Sequence, residues 1–170
     1  ALSASLVLAL VLGYLEPRGE RFRVTVLDVG QGQCILLQTG EKTYVVDCGG
    51  PAAEGAGEKA ARHLLTQGRT CVDGLILTHF DEDHVSGVKQ LLERLPVERV
   101  YMPNAPEDET CADLVTAAGE GACFVEEDLH LVIDEAELWI FAPLSRTTSN
   151  ESGLSVLFTA GECDTLITGD

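Results

Sequence analysis

The amino-acid sequence predicts a layered α/β fold, on three observations. Short alternating or apolar runs, which are typical of β-strands, dominate both ends of the region after residue 21. Between them lie runs with apolar residues at helical spacing, each ended by a Gly or a Pro. The 170 residues, 45% of them hydrophobic, suffice for one domain with a real core. This alternation favours a layered arrangement over a helical bundle.

The first predicted strand, residues 22–27, alternates Phe and Val with Arg and Thr. Residues 34–38 and 43–47 are mainly apolar runs on either side of the short segment 39–42, which indicates a hairpin. Residues 58–67 carry Ala and Leu on one stripe and precede a glycine, which is typical of a helix and its C-terminal stop.

The middle of the chain alternates strands with helices. An apolar strand is predicted at 72–77, and a helical stripe of Val and Leu follows at 85–95, directly before a proline. A strand at 97–102 and a helix at 111–118 continue the alternation. The remaining segments have the pattern of strands, predicted at 122–126, 129–133, 137–142, 154–159 and 164–168.

The N-terminal residues 1–15 carry no charge and consist mainly of Leu, Val and Ala. A membrane-spanning helix needs about 20 such residues, so this run predicts the remaining part of a transmembrane helix. The alternatives are the apolar part of a signal peptide, which would need a preceding basic segment, and a buried helix, which would need a polar face. Residues 16–21 contain Pro and Gly and are expected to form a linker before a folded domain at 22–170.

The charge balance limits the classes of function. Eleven Lys and Arg stand against 28 Asp and Glu, for a formal net charge of −17. Because affinity for phosphate backbones comes largely from Lys and Arg, the domain by itself is expected to bind nucleic acid weakly. A role with DNA would act through bound cations or through other parts of a larger protein. The six cysteines form no Cys-x-x-Cys pair, which argues against a cysteine zinc site, and their even number permits disulfides outside the cytoplasm.

The chemistry-bearing residues are concentrated in one segment, GLILTHFDEDHVSG. A predicted buried strand is followed at once by His79, Asp81, Asp83 and His84. In an extended loop His79 and Asp81 point the same way, while Asp83 and His84 lie at the turn into the next helix. Two imidazoles and two carboxylates so placed predict a site for divalent metal ions.

Simpler interpretations compete with the metal site. Asp83 could be only the N-cap of the following helix, and His79 could be a core histidine with its hydrogen bonds satisfied. The acidic loop could be merely solvated. A calcium loop beginning at Asp81 would require Glu where Leu92 stands.

The segment HFDEDH resembles the His-x-His-x-Asp-His signature of the metallo-β-lactamase superfamily, with Asp81 in place of the second His. LDVGQGQCILL at 27–37 and VVDCGG at 45–50 look like the first strands of that superfamily. LITGD at 166–170 looks like its strand that ends in an Asp shared by two metals. Together these motifs are similar to the C-terminal domains of the ComEC family, the membrane channels for DNA uptake in competent bacteria.

The resemblance implies a four-layer αββα sandwich, of which this chain is expected to hold the N-terminal portion. It also implies two divalent metal ions, Mn²⁺ or Zn²⁺, and the hard oxygen ligand of Asp81 favours Mn²⁺. The expected metal ligands are His79, Asp81, Asp83, His84 and Asp170, with Asp83 also the expected catalytic residue. The other expected site residues are Asp47, which would orient a ligand or be only a turn residue, and the site-loop candidates Asn150 and Ser155.

The function implied is metal-dependent hydrolysis of phosphodiester bonds in DNA, the expected substrate. The domain would be attached to a bacterial cell membrane on the extracytoplasmic side, next to the transmembrane channel domain of the same protein. Two alternatives stay open: a metallo-hydrolase of a lactone, lactam, thioester or phosphoester, and a metal-binding structural domain without activity. Gly30 and Gly32 are expected to let the backbone turn near the metals, and His63 and His130 are interpreted as structural.

Overall fold

Two β-sheets stack on each other in this computed structural model, which describes residues 22–51, 55–143 and 153–169. The predicted transmembrane segment 1–15 and linker 16–21 lie outside the described residues. Within the described part of the chain, no helix is both long and apolar enough to cross a membrane.

The first sheet has six strands, in the same order in space as in the chain. They are β1 (Phe22–Val26), β2 (Ile35–Thr39), β3 (Lys42–Val46), β4 (Gly74–Ile76), β5 (Val100–Met102) and β6 (Ala122–Phe124). The first three strands form an antiparallel meander, and β3 to β6 pair in parallel. The carboxyl ends of β3 and β4 therefore meet at one edge of the sheet, which is where open α/β sheets place their ligands.

Helices cover one face of this sheet. They are α1 (Ala56–Thr66), α2 (Glu82–Val85), α3 (Val88–Arg94) and α4 (Glu109–Ala118), and a short 3-10 helix follows at Gly119–Gly121. Leu64 and Leu91 from the helices pack with Leu36 and Leu75 of the sheet in one core. Burying these side chains stabilises the helix–sheet layer.

The helix predicted at 85–95 is confirmed at Val88–Arg94, but it does not continue back to Val85, which ends the separate helix α2. The amide of Gly87 donates to the carbonyl of Cys48 at 2.8 Å, and the carbonyl of Asp83 accepts from the amide of Gln33 at 3.0 Å. These are the two groups that a continuous helix would have joined to each other. Tertiary hydrogen bonds thus end α2 before α3 begins.

The second sheet has four antiparallel strands in the order β10-β9-β8-β7. They are β7 (Leu129–Ile133), β8 (Ala136–Phe141), β9 (Ser155–Ala160) and β10 (Cys163–Ile167). Leu138 and Phe158 of this sheet pack with Leu37 and Ile76 of the first sheet in a second core. The described residues thus form three layers, helix on sheet on sheet, and contain no helix on the outer face of the second sheet.

Candidate metal centre

The candidate site lies where β3 and β4 end, and Asp47 is at its centre. Asp47 follows β3 directly and is completely buried. Its φ of 55° is uncommon for a residue other than glycine, and such backbone conformations cluster at functional sites. Thr78 and His79, which follow β4, and His84, which lies in α2, are also buried.

The carboxylate of Asp47 accepts hydrogen bonds from three residues of the site. Its Oδ1 accepts from the Thr78 amide at 2.7 Å. Its Oδ2 accepts from Thr78 Oγ1 at 2.7 Å, from Gln33 Nε2 at 2.8 Å and from His84 Nδ1 at 2.8 Å. A buried carboxylate with this many donors is held in one orientation.

This network sets the proton positions on both histidines. Thr78 Oγ1 gives its one proton to Asp47, so it accepts from His79 Nδ1, which lies 3.0 Å away. His84 Nδ1 donates to the same oxygen of Asp47. In each neutral ring Nδ1 then carries the proton and Nε2 the lone pair. Asp47 thereby fixes the orientation of both imidazoles, directly at His84 and through Thr78 at His79.

His79 offers an unsatisfied nitrogen of the kind that a metal ion would need. Its Nε2 is buried and has no hydrogen-bond partner among the described residues. Asp81 Oδ2 lies 3.6 Å from it, which is too long for a hydrogen bond. Two ligands at about 2.1 Å from one tetrahedral ion are separated by about 3.4 Å. The pair His79–Asp81 therefore fits a divalent cation.

The described residues contain no group of three or more His, Cys, Asp and Glu side chains placed around one metal position. The described ligand pair is His79 and Asp81, while the ring of His84 lies close by, with its centroid 4.0 Å from that of His79. The expected ligand Asp170 lies outside the described residues. Its neighbour Gly169 is close to the cluster, because a Cβ atom at Gly169 would lie 3.2 Å from His79 Nδ1.

The interpretation of Asp83 as only a helix cap does not match the structure. The N-cap of α2 is Asp81, whose side chain makes no capping hydrogen bond and is half exposed. Asp83 lies in the first turn of that helix. With Gln31, Gly50 and Pro51, it lines an open cavity of ≈ 360 Å³ next to the cluster. Glu82 and Asp83 thus line this cavity, and Asp81 lies beside His79.

Two glycines allow the loops of the site to touch. A Cβ atom at Gly49 would lie 2.3 Å from the amide of His84, and one at Gly32 would lie 2.6 Å from the carbonyl of Asp83. Real Cβ atoms do not come this close to backbone, so only glycine fits at these positions. Gly30, with φ 81°, supplies a left-handed turn in the same loop.

Of the two site-loop candidates, only Ser155 lies within the described residues. Asn150 lies outside the described residues. Ser155 begins β9, where the neighbouring Leu154 and Val156 are buried in the core between the sheets. Because side chains alternate along a strand, that of Ser155 lies on the outer face, opposite Phe141 of β8. The start of β9 nevertheless lies next to the cluster, because the amide of Leu154 donates to the carbonyl of Thr78 at 2.7 Å.

The other two histidines lie apart from the cluster. His63 Nε2 accepts from Gln67 Nε2 at 2.9 Å within α1 and the turn after it. His130 has an acidic neighbour that its local sequence does not show, since Glu137 Oε2 of the adjacent strand lies 3.1 Å from its Nε2. Its ring also stacks on Trp139, with centroids 3.9 Å apart.

Sequence reasoning missed Thr78 and Gln33. Thr78 joins His79 to Asp47, and Gln33 supplies a third side-chain donor to that carboxylate. The available signals were a threonine directly before the first His of the motif and a glutamine within the glycine-rich loop.

Comparisons with known proteins bear on the family and the fold. The model of the metallo-beta-lactamase superfamily matches residues 27–170. ComE operon protein 3 of Bacillus subtilis (strain 168) is 27% identical over 180 residues, which cover 92% of this chain and 22% of that protein. Hydroxyacylglutathione hydrolase of Salmonella arizonae is 27% identical over 92 residues, which cover 54% of this chain and 30% of that enzyme. The chain thus spans less than a third of the length of either relative.

Solved structures share the fold at low sequence identity. The metallo-beta-lactamase fold protein YhfI from Bacillus subtilis has a TM-score of 0.61 at 16% identity, over 88% of this chain and 62% of that one. Metallo-beta-lactamase SMB-1, bound to 2-mercaptoethanesulfonate, has a TM-score of 0.63 at 16% identity, over 87% and 61%. Proteins of this fold generally bind divalent metals, usually zinc. The family model covers most of the chain and the fold agrees with it, so the chain belongs to the metallo-beta-lactamase superfamily.

Proposed function

We propose that the complete protein is a metal-dependent hydrolase that cleaves phosphodiester bonds of DNA. The superfamily is typically hydrolytic, and the observation that carries the proposal is the lone, buried Nε2 of His79 beside Asp81. The specific substrate is supported by the resemblance to ComEC domains and by the match to ComE operon protein 3 over most of the chain.

In this proposal His79 and Asp81 would hold one ion and Asp83 and His84 the other, with Asp170 shared between them. Divalent ions bound there would polarise a phosphoryl oxygen and activate water at neutral pH. The residues of this chain supply the positioning. Asp47 keeps the imidazoles in one tautomer and orientation, so that no reorganisation is needed when substrate arrives.

The cavity beside Asp83 suits a substrate that approaches through bound cations. Its lining contains the carboxylates of Glu82 and Asp83, the amide of Gln31 and no Lys or Arg among the described residues. An acidic lining repels a phosphate backbone until cations neutralise it. Divalent ions would therefore serve both the chemistry and the docking of a polyanion, which agrees with the net charge of −17.

For the location in the cell, we propose that this domain lies at the extracytoplasmic face of a bacterial membrane. The uncharged run 1–15 would anchor it there, next to the channel domain of the same protein. The similarity to ComE operon protein 3 supports competence-related machinery, and the uncharged sequence supports a membrane segment.

A thioester is the second candidate substrate, because hydroxyacylglutathione hydrolase matches about half of the chain. Both candidates use the same cluster, so the choice depends on substrate rather than on metal. A metal-binding domain without activity is the third hypothesis for the same residues.

A substrate panel separates these functions. The complete protein is incubated with divalent metal and either linear DNA or a hydroxyacylglutathione thioester, and each reaction is repeated with excess chelator. We expect DNA to be cut only when metal is present, with little thioester hydrolysis. Thioester turnover without DNA cleavage would favour the second candidate, and bound metal without turnover of either would favour a structural domain.

A further inference from the structure

Two of the six cysteines lie side by side next to the candidate metal centre. Cys34 directly precedes β2, and Cys48 directly follows Asp47 beyond the end of β3. Both side chains are fully buried in the core between the helices and the first sheet. Both are free thiols in this structure, and a hydrogen bond joins them. The fold thus pairs two thiols that the sequence alone could not pair.

The pairing of β2 with β3 shifts by one residue just beyond the two strands. Within the strands the antiparallel register is regular as far as Ile35 and Val46, which lie opposite each other. Beyond them the amide of Gly49 donates to the carbonyl of Gln33 at 3.0 Å. One residue therefore separates these two contacts on the β2 side, and two residues separate them on the β3 side. Such two-against-one pairing is a β-bulge.

The bulge places Cys34 opposite both Asp47 and Cys48. Asp47 takes up the extra length, since its φ of 55° is the left-handed conformation found in one class of bulge. Cys34 and Cys48 then face the same core as Leu36 and Val45. Opposite residues of an antiparallel pair have Cα atoms about 4.5–5.5 Å apart, and a disulfide spans about 4.4–6.8 Å. The two cysteines are thus placed for a bond without a change of register.

We propose that Cys34 and Cys48 form a disulfide when the protein folds in an oxidising compartment. Disulfides form and persist outside the cytoplasm, so the bond in the cell rests on the proposed extracytoplasmic location, whereas the pairing itself does not. The bond joins the segment of Gln33 to that of Asp47, whose side chains are hydrogen-bonded at 2.8 Å. It therefore ties together the two backbone segments that hold the carboxylate at the centre of the cluster.

The oxidant is itself a disulfide of low molecular weight, such as oxidised glutathione. The thiolate of one cysteine attacks it, forms a mixed disulfide and releases one thiol. The thiolate of the other cysteine attacks the protein sulfur of that mixed disulfide, which forms the Cys34–Cys48 bond and releases the second thiol. The protein loses two electrons and two protons, and the oxidant takes them up as two thiols. Since both sulfurs are buried in the folded domain, this exchange takes place during folding.

The pairing is tested on the full-length protein, synthesised cell-free with lipid vesicles in a buffer of oxidised and reduced glutathione. Free thiols are alkylated under denaturing conditions, and the tryptic peptides are analysed by mass spectrometry. Trypsin cleaves after Lys42, so Cys34 and Cys48 lie on the separate peptides 24–42 and 43–59. We expect a single linked species of these two peptides, with loss of both alkylated forms. With excess reductant throughout, both peptides should be alkylated and unlinked.

Variants separate this pair from the other cysteines. Cys34→Ala should leave the peptide of Cys48 alkylated, and Cys48→Ala should leave that of Cys34 alkylated. Cys111→Ala, a buried cysteine in α4, is the control and should leave the linked species unchanged. The proposal is overturned if both peptides of wild type are alkylated in the oxidising buffer, or if either is linked to a different cysteine.

The same peptide analysis on intact cells distinguishes a wrong pair from a wrong location. A linked pair in cells supports both the disulfide and the extracytoplasmic location. A pair that is linked after cell-free synthesis but alkylated in cells supports the pairing and counts against that location. Because the peptides are analysed after denaturation, none of these results depends on hydrolase activity.

Discussion

His84 Nδ1 lies 2.8 Å from Asp47 Oδ2, although the two residues are 37 positions apart in the chain. The same oxygen accepts from Thr78 Oγ1, which in turn contacts His79 Nδ1. One buried carboxylate therefore controls the orientation of both histidines of the HFDEDH motif. The proposed metal site would therefore depend on Asp47, even if Asp47 does not touch a metal.

Replacing Asp47 with Asn should weaken metal binding about 10- to 100-fold, the usual effect of losing a group that orients a metal-bound histidine. Asn is nearly the same size as Asp. Its NH₂ group, however, cannot accept hydrogen bonds from the donors that the carboxylate satisfies in wild type. The measurement is a calorimetric metal titration of the complete protein. Asp113→Asn, which changes a surface ion pair with Lys89, is the matched control. Unchanged metal affinity in a folded Asp47→Asn protein would remove Asp47 from its positioning role.

Asp81 should set the preference among metals. A carboxylate oxygen in place of an imidazole suits Mn²⁺, although raw affinity still rises from Mn²⁺ toward Zn²⁺. We expect the complete protein to be more active with Mn²⁺ than with Zn²⁺, and Asp81→His to shift the preference toward Zn²⁺. Activity titrations with both metals, run side by side on the two proteins, measure this. A wild type that works best with Zn²⁺ and is unaffected by the substitution would rule out the proposed role of Asp81.

Stability should fall at alkaline pH because of Tyr44. Burial raises the pKa of Tyr44 to about 12 from its ordinary value of 10.0, and the nearby Tyr101 adds to the shift. Above pH 10 the unfolded chain loses the phenol proton before the folded chain does, so the free energy of unfolding decreases until the folded pKa is reached. Denaturant unfolding between pH 9 and about 12 measures the loss, and Tyr44→Phe should reduce the slope. An equal slope in Tyr44→Phe would assign the loss to other groups.

Cysteine labelling tests the proposed location outside the cytoplasm. Cys71 and Cys163 are exposed, whereas Cys34 and Cys48 are buried. A hydrogen bond with Cys48 and burial raise the pKa of the Cys34 thiol, which lowers its reactivity further. In intact cells, a membrane-impermeant maleimide should label the full-length protein, and Cys71→Ser with Cys163→Ser should remove most of the signal. Labelling that appears only after lysis would contradict the location.

Local patterns were sufficient for most of the fold. Strand β7 occupies residues 129–133 as predicted, and β1 ends one residue before its predicted end. Alternation of apolar residues determines such strands within a few positions. The break between α2 and α3 was not predictable in this way, since it results from the bond between Gly87 and Cys48, which are far apart in the chain.

For the site, sequence indicated the residue types but not their contacts. The motif containing His79 and His84 was visible because its members are close together in the chain. The link through Thr78 could not be predicted, because it requires the ends of β3 and β4 to meet. The role of Ser155 stays a prediction, although the bond from the Leu154 amide to the Thr78 carbonyl brings the start of β9 next to the cluster.

The central claim is that the HFDEDH cluster supports metal-dependent cleavage of DNA. Cleavage of linear DNA by the complete protein, with added Mn²⁺, is measured for wild type, Asp83→Ala and His84→Ala, with circular dichroism to check folding. Lys89→Gln, on the helical surface, is the control. We predict cleavage by wild type and the control, none in excess chelator, and none by either folded site variant. Undiminished cleavage by both site variants, or by wild type in chelator, would contradict the account.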